Sequence, residues 1–148
     1  MVKKLLLSIG VLFLSLSVYA NEKTTEKQGL IVKESWARTS IPPNNNSAAY
    51  MKITNPNKEQ ITIIGASAAM VANNVELHKS FVDEKGISRM TSIDKIVVPG
   101  ESTIELAPGA IHIMLFDLKK NLSLDDKFKL ILKLEGMKPV ASTVVVKN

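Results

Sequence analysis

The chain has 148 residues, enough for one domain with a substantial core and too few for two. An apolar content of 45% excludes a disordered or fibrous chain, and a formal charge of +5 that is spread out, without a dense Lys/Arg cluster interleaved with aromatics, leaves no nucleic-acid footprint. The lack of any cysteine excludes disulfides, thiolate metal sites, a cysteine nucleophile and a lipidated cysteine.

Residues 1–20 carry the three parts of a secretory signal: Lys3 and Lys4, an apolar run from Leu5 to Val18, and a small-x-small site ending at Ala20. Cleavage after Ala20 predicts a mature chain with 17 basic and 14 acidic residues, a net of +3, that is not embedded in the membrane; an uncleaved anchor is the alternative. Residues 21–29 are polar and charged and read as a flexible lead-in. From Leu30 to the end the pattern predicts one domain, residues 30–148.

No window of that domain shows a sustained 3.6-residue apolar period. Strands are predicted at 30–38, 48–55, 60–68, 74–82, 87–92, 95–98, 103–106, 110–118, 127–135 and 140–147. Between them, Pro42-Pro43 with three asparagines, Asn55-Pro56-Asn57, Asp83-Glu84-Lys85-Gly86, Pro99-Gly100 and Pro108-Gly109 supply turn chemistry. Residues 127–135 alternate most plainly, with Phe128, Leu130, Leu132 and Leu134 on one face and Lys129 and Lys133 on the other. Residues 66–72 are compatible with one short helical turn. Short strands at this spacing predict an all-β sandwich or barrel.

The two histidines, His78 and His112, both fall in predicted strands. Met114 follows His112 by two residues, so on a strand the pair shares a face while Ile111, Ile113 and Leu115 turn to the core. His78 lies opposite Leu77 in its own strand, and a hairpin over 83–86 would bring Met90 back towards it. Neutral thioethers with imidazoles suit Cu(I) far better than Mg, Ca or Mn, and make zinc a poor second choice. A structural role stays open on the residues alone: either histidine can serve as a hydrogen-bonded core residue, and strand methionines commonly fill cores, as expected of Met51, Met70 and Met137.

The spacing His78, Lys79, ten residues, Met90, twenty-one residues, His112-Ile113-Met114 resembles the H(M)X10MX21HXM signature of the PCuAC family of periplasmic copper chaperones. Ser35-Trp36-Ala37-Arg38, Ala49-Tyr50, Leu106-Ala107-Pro108-Gly109, Met114-Leu115 and Leu118-Lys119 agree with it, so the resemblance covers residues 30–146. Two positions depart: Lys79 stands where the family often has a methionine, and Ala110 where a second glycine is common. The Met- and His-rich tail of some relatives is also missing.

The resemblance implies a cupredoxin-like Greek-key β-sandwich that binds one Cu(I) per chain through His78, Met90, His112 and Met114. It implies delivery to the CuA centre of cytochrome c oxidase subunit II, alongside a Sco-type thioredoxin-like protein, by a periplasmic monomer. A copper buffer without a dedicated acceptor is the alternative, and a plain secreted interaction module with four structural residues is a third. No Ser/His/Asp set, paired carboxylates in context or phosphate-cradling glycine loop points to an enzyme.

Overall fold

A computed structural model of the chain describes residues 28–148. The signal segment, its cleavage site and most of the lead-in lie outside the described residues. Ten strands form: β1 (Ile31–Arg38), β2 (Ser47–Asn55), β3 (Ile61–Ser67), β4 (Ala72–Val82), β5 (Ser88–Ser92), β6 (Ile96–Val98), β7 (Ser102–Leu106), β8 (Ile111–Leu118), β9 (Lys127–Leu134) and β10 (Val140–Lys147). All ten predicted strands are found, with ends within two residues of those read from the pattern. Among the described residues there is no helix, and so none long and apolar enough to cross a membrane. The 66–72 stretch folds as a single hydrogen-bonded turn, Val71 N–H and Ala72 N–H both donating to Ala68 O.

The strands pair in the order β5-β4-β8-β2-β1-β10-β9-β3-β6, with β7 alongside β2. Neighbours are mostly not consecutive in the chain, so connections cross the ends of the sandwich as in a Greek key. β1 joins the two halves. Glu34 has φ 53° and the register against β2 shifts between Lys33 and Trp36. This bulge turns the strand, and the segment from Trp36 to Arg38 pairs in parallel with β10 while Trp36 and Ala37 also stay paired with β2. The architecture is the expected all-β, cupredoxin-like sandwich.

Alternation decides which side of each strand meets the core. In β9, Phe128, Leu130, Leu132 and Leu134 are buried while the intervening lysines are exposed. On the facing half, Met51, Ile53, Leu77, Ile113 and Leu115 fill the same core. Asn55 is fully buried but satisfied: its amide donates to Glu59 O and Val98 O and accepts from Asn57, so burying it carries little penalty. Of the three methionines expected in the core, Met51 is buried and Met137 packs against it. Met70 does not: it is 79% exposed because it sits at the tip of the 68–72 turn, where the backbone leaves the core.

At Gly100 the chain passes so close to the 57–58 backbone that a Cβ would stand 1.8 Å from Lys58 O. Gly100→Ala is expected to destabilise the fold by about 1–3 kcal/mol, the usual range for forced overpacking, read as a lowered urea midpoint with an unchanged m-value.

Candidate metal centre

The β4–β8 register builds the site. Antiparallel pairing sets His78 directly opposite His112, Leu77 opposite Ile113 and Glu76 opposite Met114. Leu77 and Ile113 face the core, so His78, His112 and Met114 share the outer face of the sheet. On the other side of β4, β5 places Ser92 opposite His78 and Met90 opposite Ser80. Met90 is therefore a diagonal neighbour of His78 on that same face, the distance over which long side chains interact. All four residues singled out from the sequence come to one patch of three adjacent strands.

The patch is graded in exposure. His112 is 3% exposed and Met90 58%, with the His78 side chain at 12% and Met114 half-buried. Burial on an outer face needs a cover, and aromatic rings provide it. The His78 ring centroid lies 5.9 Å from that of His112 and 5.5 Å from Phe116; Tyr50 stands 6.3 Å from His112 and 4.5 Å from Trp36. Arg38 caps Tyr50 with its guanidinium 6.0 Å from the ring centre, within reach of a cation–π attraction. Met90, His112 and Met114 open onto a groove of about 480 Å³ bordered by Arg38, Asn44 and Asn46. His78 is not part of that lining.

Two loops hold this arrangement. Between β1 and β2, the Ser47 hydroxyl donates to Arg38 O, Asn45 donates to Asp117, and Leu118 N–H donates to Asn45 O. Between β7 and β8, Gly109 takes φ 78°, a conformation that favours glycine, and Ala107 N–H closes the turn on Ile111 O.

The imidazoles are oriented by oxygen atoms that can only accept. His112 Nδ1–H donates to Ala110 O at 3.0 Å, the carbonyl that also receives Ser80 N–H from β4. His78 Nε2–H donates to Glu76 Oε2 at 3.0 Å, and Asn74 donates to Glu76 Oε1 at 2.7 Å. These bonds, His78 first and Asn74 second, hold the Glu76 carboxyl below its ordinary range. His78 Nδ1 is buried and has no hydrogen-bond partner, a state that costs about 1–3 kcal/mol unless a ligand takes its lone pair. Among the described residues, no three His, Cys, Asp or Glu side chains gather as a hard-metal cluster would require. The donors on offer are two neutral imidazoles and two thioethers, which fit a soft monovalent ion.

Sequence reasoning missed Glu76, Phe116, Tyr50 and Trp36 as parts of the site. Glu76 was detectable, since its spacing of two from His78 puts both on one strand face. The aromatic cover depends on strand neighbours distant in the chain.

The fold and this patch together define a cupredoxin-like domain with a His/Met cluster on its outer face. The chain belongs to the LpqE-like family, described as lipoproteins, which it matches over residues 30–146. The protein RP573 of Rickettsia prowazekii is 27% identical over 99 residues, 64% of this chain and 54% of that protein, so the match spans about half of that relative's length. Solved structures share the fold, among them two that hold copper. The copper-bound PCuAC domain from PmoF2 aligns with TM-score 0.66 at 21% identity, covering 80% of this chain and 92% of that domain. The CuI-DR1885 structure from Deinococcus radiodurans aligns with TM-score 0.62 at 23% identity over 86% of this chain and 85% of that one. The likeness to PCuAC domains read from the motif is met in the fold.

Met90 depends on the β4–β5 turn, which Asp83 clamps by accepting from Lys85 N–H, Ile87 N–H and Arg89 Nε. The Ile87 bond first and the Arg89 bond second lower the Asp83 pKa from 3.8. A carboxyl depressed by folding stabilises above its unfolded pKa and loses that contribution as pH falls through its folded value. Acidification below about pH 4, or Asp83→Ala at neutral pH, is therefore expected to speed amide exchange in β5 while leaving β9 protected, as read by hydrogen exchange.

Proposed function

We propose that the chain is an exported copper-binding protein, not an enzyme, that carries one Cu(I) on His78, Met90, His112 and Met114 and yields it to an acceptor. One observation carries this reading: a buried and a partly buried imidazole face each other across β4 and β8, the latter with an unbonded buried nitrogen, and two thioethers share their face. Four neutral donors leave the bound ion with its single charge, which favours Cu(I) over Cu(II) or zinc. The solved neighbours that hold copper support the same cargo.

The exposure gradient gives a route for transfer. His112 is nearly enclosed, whereas Met90 stands in solvent on the edge strand β5. An incoming thiolate or imidazole reaches the Met90 side first, replaces that thioether, and then draws the ion off the remaining donors. Copper moves down the affinity gradient without any bond-making chemistry. We assign the acceptor as the CuA centre of cytochrome c oxidase subunit II, with a Sco-type protein acting alongside, in the periplasm after cleavage following Ala20, with the carrier a monomer. The family's lipoprotein description supports export, although this sequence offers no cysteine to lipidate.

Titration of the reduced protein against a Cu(I)-specific chromophore should give one copper per chain, with mixed nitrogen and sulfur scattering in X-ray absorption. The double variant His78→Ala/His112→Ala should lose stoichiometric binding, and Met90→Leu should weaken it by about tenfold, ~1.4 kcal/mol. Unchanged one-to-one affinity in the double variant sinks the site assignment. In cells lacking the protein, CuA loading at limiting copper should fall; normal loading would turn the reading to a copper buffer.

A further inference from the structure

We propose that Glu76 is a positioning residue that dictates which ring nitrogen His78 offers to the ion, so that His78 binds through Nδ1 while His112 binds through Nε2. This inference rests on the copper reading above and deepens it.

A carboxylate oxygen has no proton to give, so the 3.0 Å contact between Glu76 Oε2 and His78 Nε2 requires the hydrogen to sit on Nε2. A neutral ring then keeps its lone pair on Nδ1, the buried atom with no hydrogen-bond partner. His112 is set the opposite way. Its Nδ1–H donates to a main-chain carbonyl, Ala110 O, leaving the lone pair on Nε2.

The device is written into one strand face. Asn74, Glu76 and His78 follow one another at spacing two on β4, so Asn74 steadies Glu76 at 2.7 Å and Glu76 steadies the ring. Nδ1 is the nitrogen nearer the backbone, and β4 lies between β5, which carries Met90, and β8, which carries His112 and Met114. A donor close to the middle strand suits an ion approached from both flanks. A carboxylate on the far nitrogen also makes the imidazole a better donor, as in carboxylate–histidine–metal triads.

The test uses the full 15N-labelled chain without metal, where long-range proton–nitrogen spectra report the tautomer of each ring, followed by Cu(I) titration. His78 should appear as the Nε2–H form and His112 as the Nδ1–H form. Glu76→Ala should release His78 into a mixture of tautomers and weaken Cu(I) binding by about 10- to 100-fold. An unaltered His112 signal would show that the fold is intact. Glu76→Gln keeps one accepting oxygen, and with the Asn74 amide turned so that its oxygen accepts from the new NH2, it should retain the His78 tautomer and recover most of the affinity. An Nδ1–H form of His78 in the unaltered chain, or either readout unchanged in Glu76→Ala, overturns the assignment. The metal-free spectra read the tautomer whether or not copper binds. Failure of the copper reading would thus show in the titration of the unaltered chain, and failure of the Glu76 assignment in the spectra.

Discussion

The structure depends on the antiparallel register between β4 and β8. Leu77 faces Ile113 across the two strands, both at the core, and this apolar pairing forces His78 and His112 together on the opposite side. A slip of β4 by one residue against β8 would turn His78 towards the core and Leu77 to the outer face, separating His78 from His112. The hydrophobic effect, acting on residues without any chemistry of their own, therefore holds the nitrogen donors in place. Met114 comes with His112 by the same alternation, and Met90 follows because β5 continues the sheet past β4.

A donor set on the outer face of a sheet would ordinarily be wet. Here Tyr50 and Phe116 crowd the two imidazoles, and the β1–β2 loop, fastened to Asp117 and Leu118, walls the groove. The enclosure is deliberately uneven in its effect: the nitrogen donors are sheltered, while a sulfur donor on the edge strand is left in the open. On the proposed copper reading, this shelter would favour retention of a weakly hydrated soft ion, and the open side would admit a partner's ligand. Both properties come from where the strands lie in the sheet order, since β8 is interior and β5 is an edge.

Much of the fold was legible because period-two alternation and turn residues are local signals. β9 is the clearest case, with every second residue buried from Phe128 to Leu134. Met70 was misread for the converse reason: residue type argued for the core, but its place at the tip of a turn put it in solvent. The bulge at Glu34 was not legible either, because a glutamate carries no preference for the left-handed region. The positive φ there belongs to the bulge beyond which β1 pairs with β10 as well as with β2.

Of the four candidate ligands, only His112 and Met114 were brought to one face by spacing alone, since an i, i+2 pair on a strand shares a face wherever the strand ends up. The amino-acid order by itself determined the all-β character, the sidedness of each strand and the chemical softness of the donor set, all properties that reach only a few residues along the chain. Tertiary structure alone decided that His78 meets His112 directly, that Met90 falls diagonal to His78, and that Glu76 leaves Nδ1 as the free nitrogen. Those outcomes rest on cross-strand register and on side chains brought together from separate segments, which only the closed core fixes.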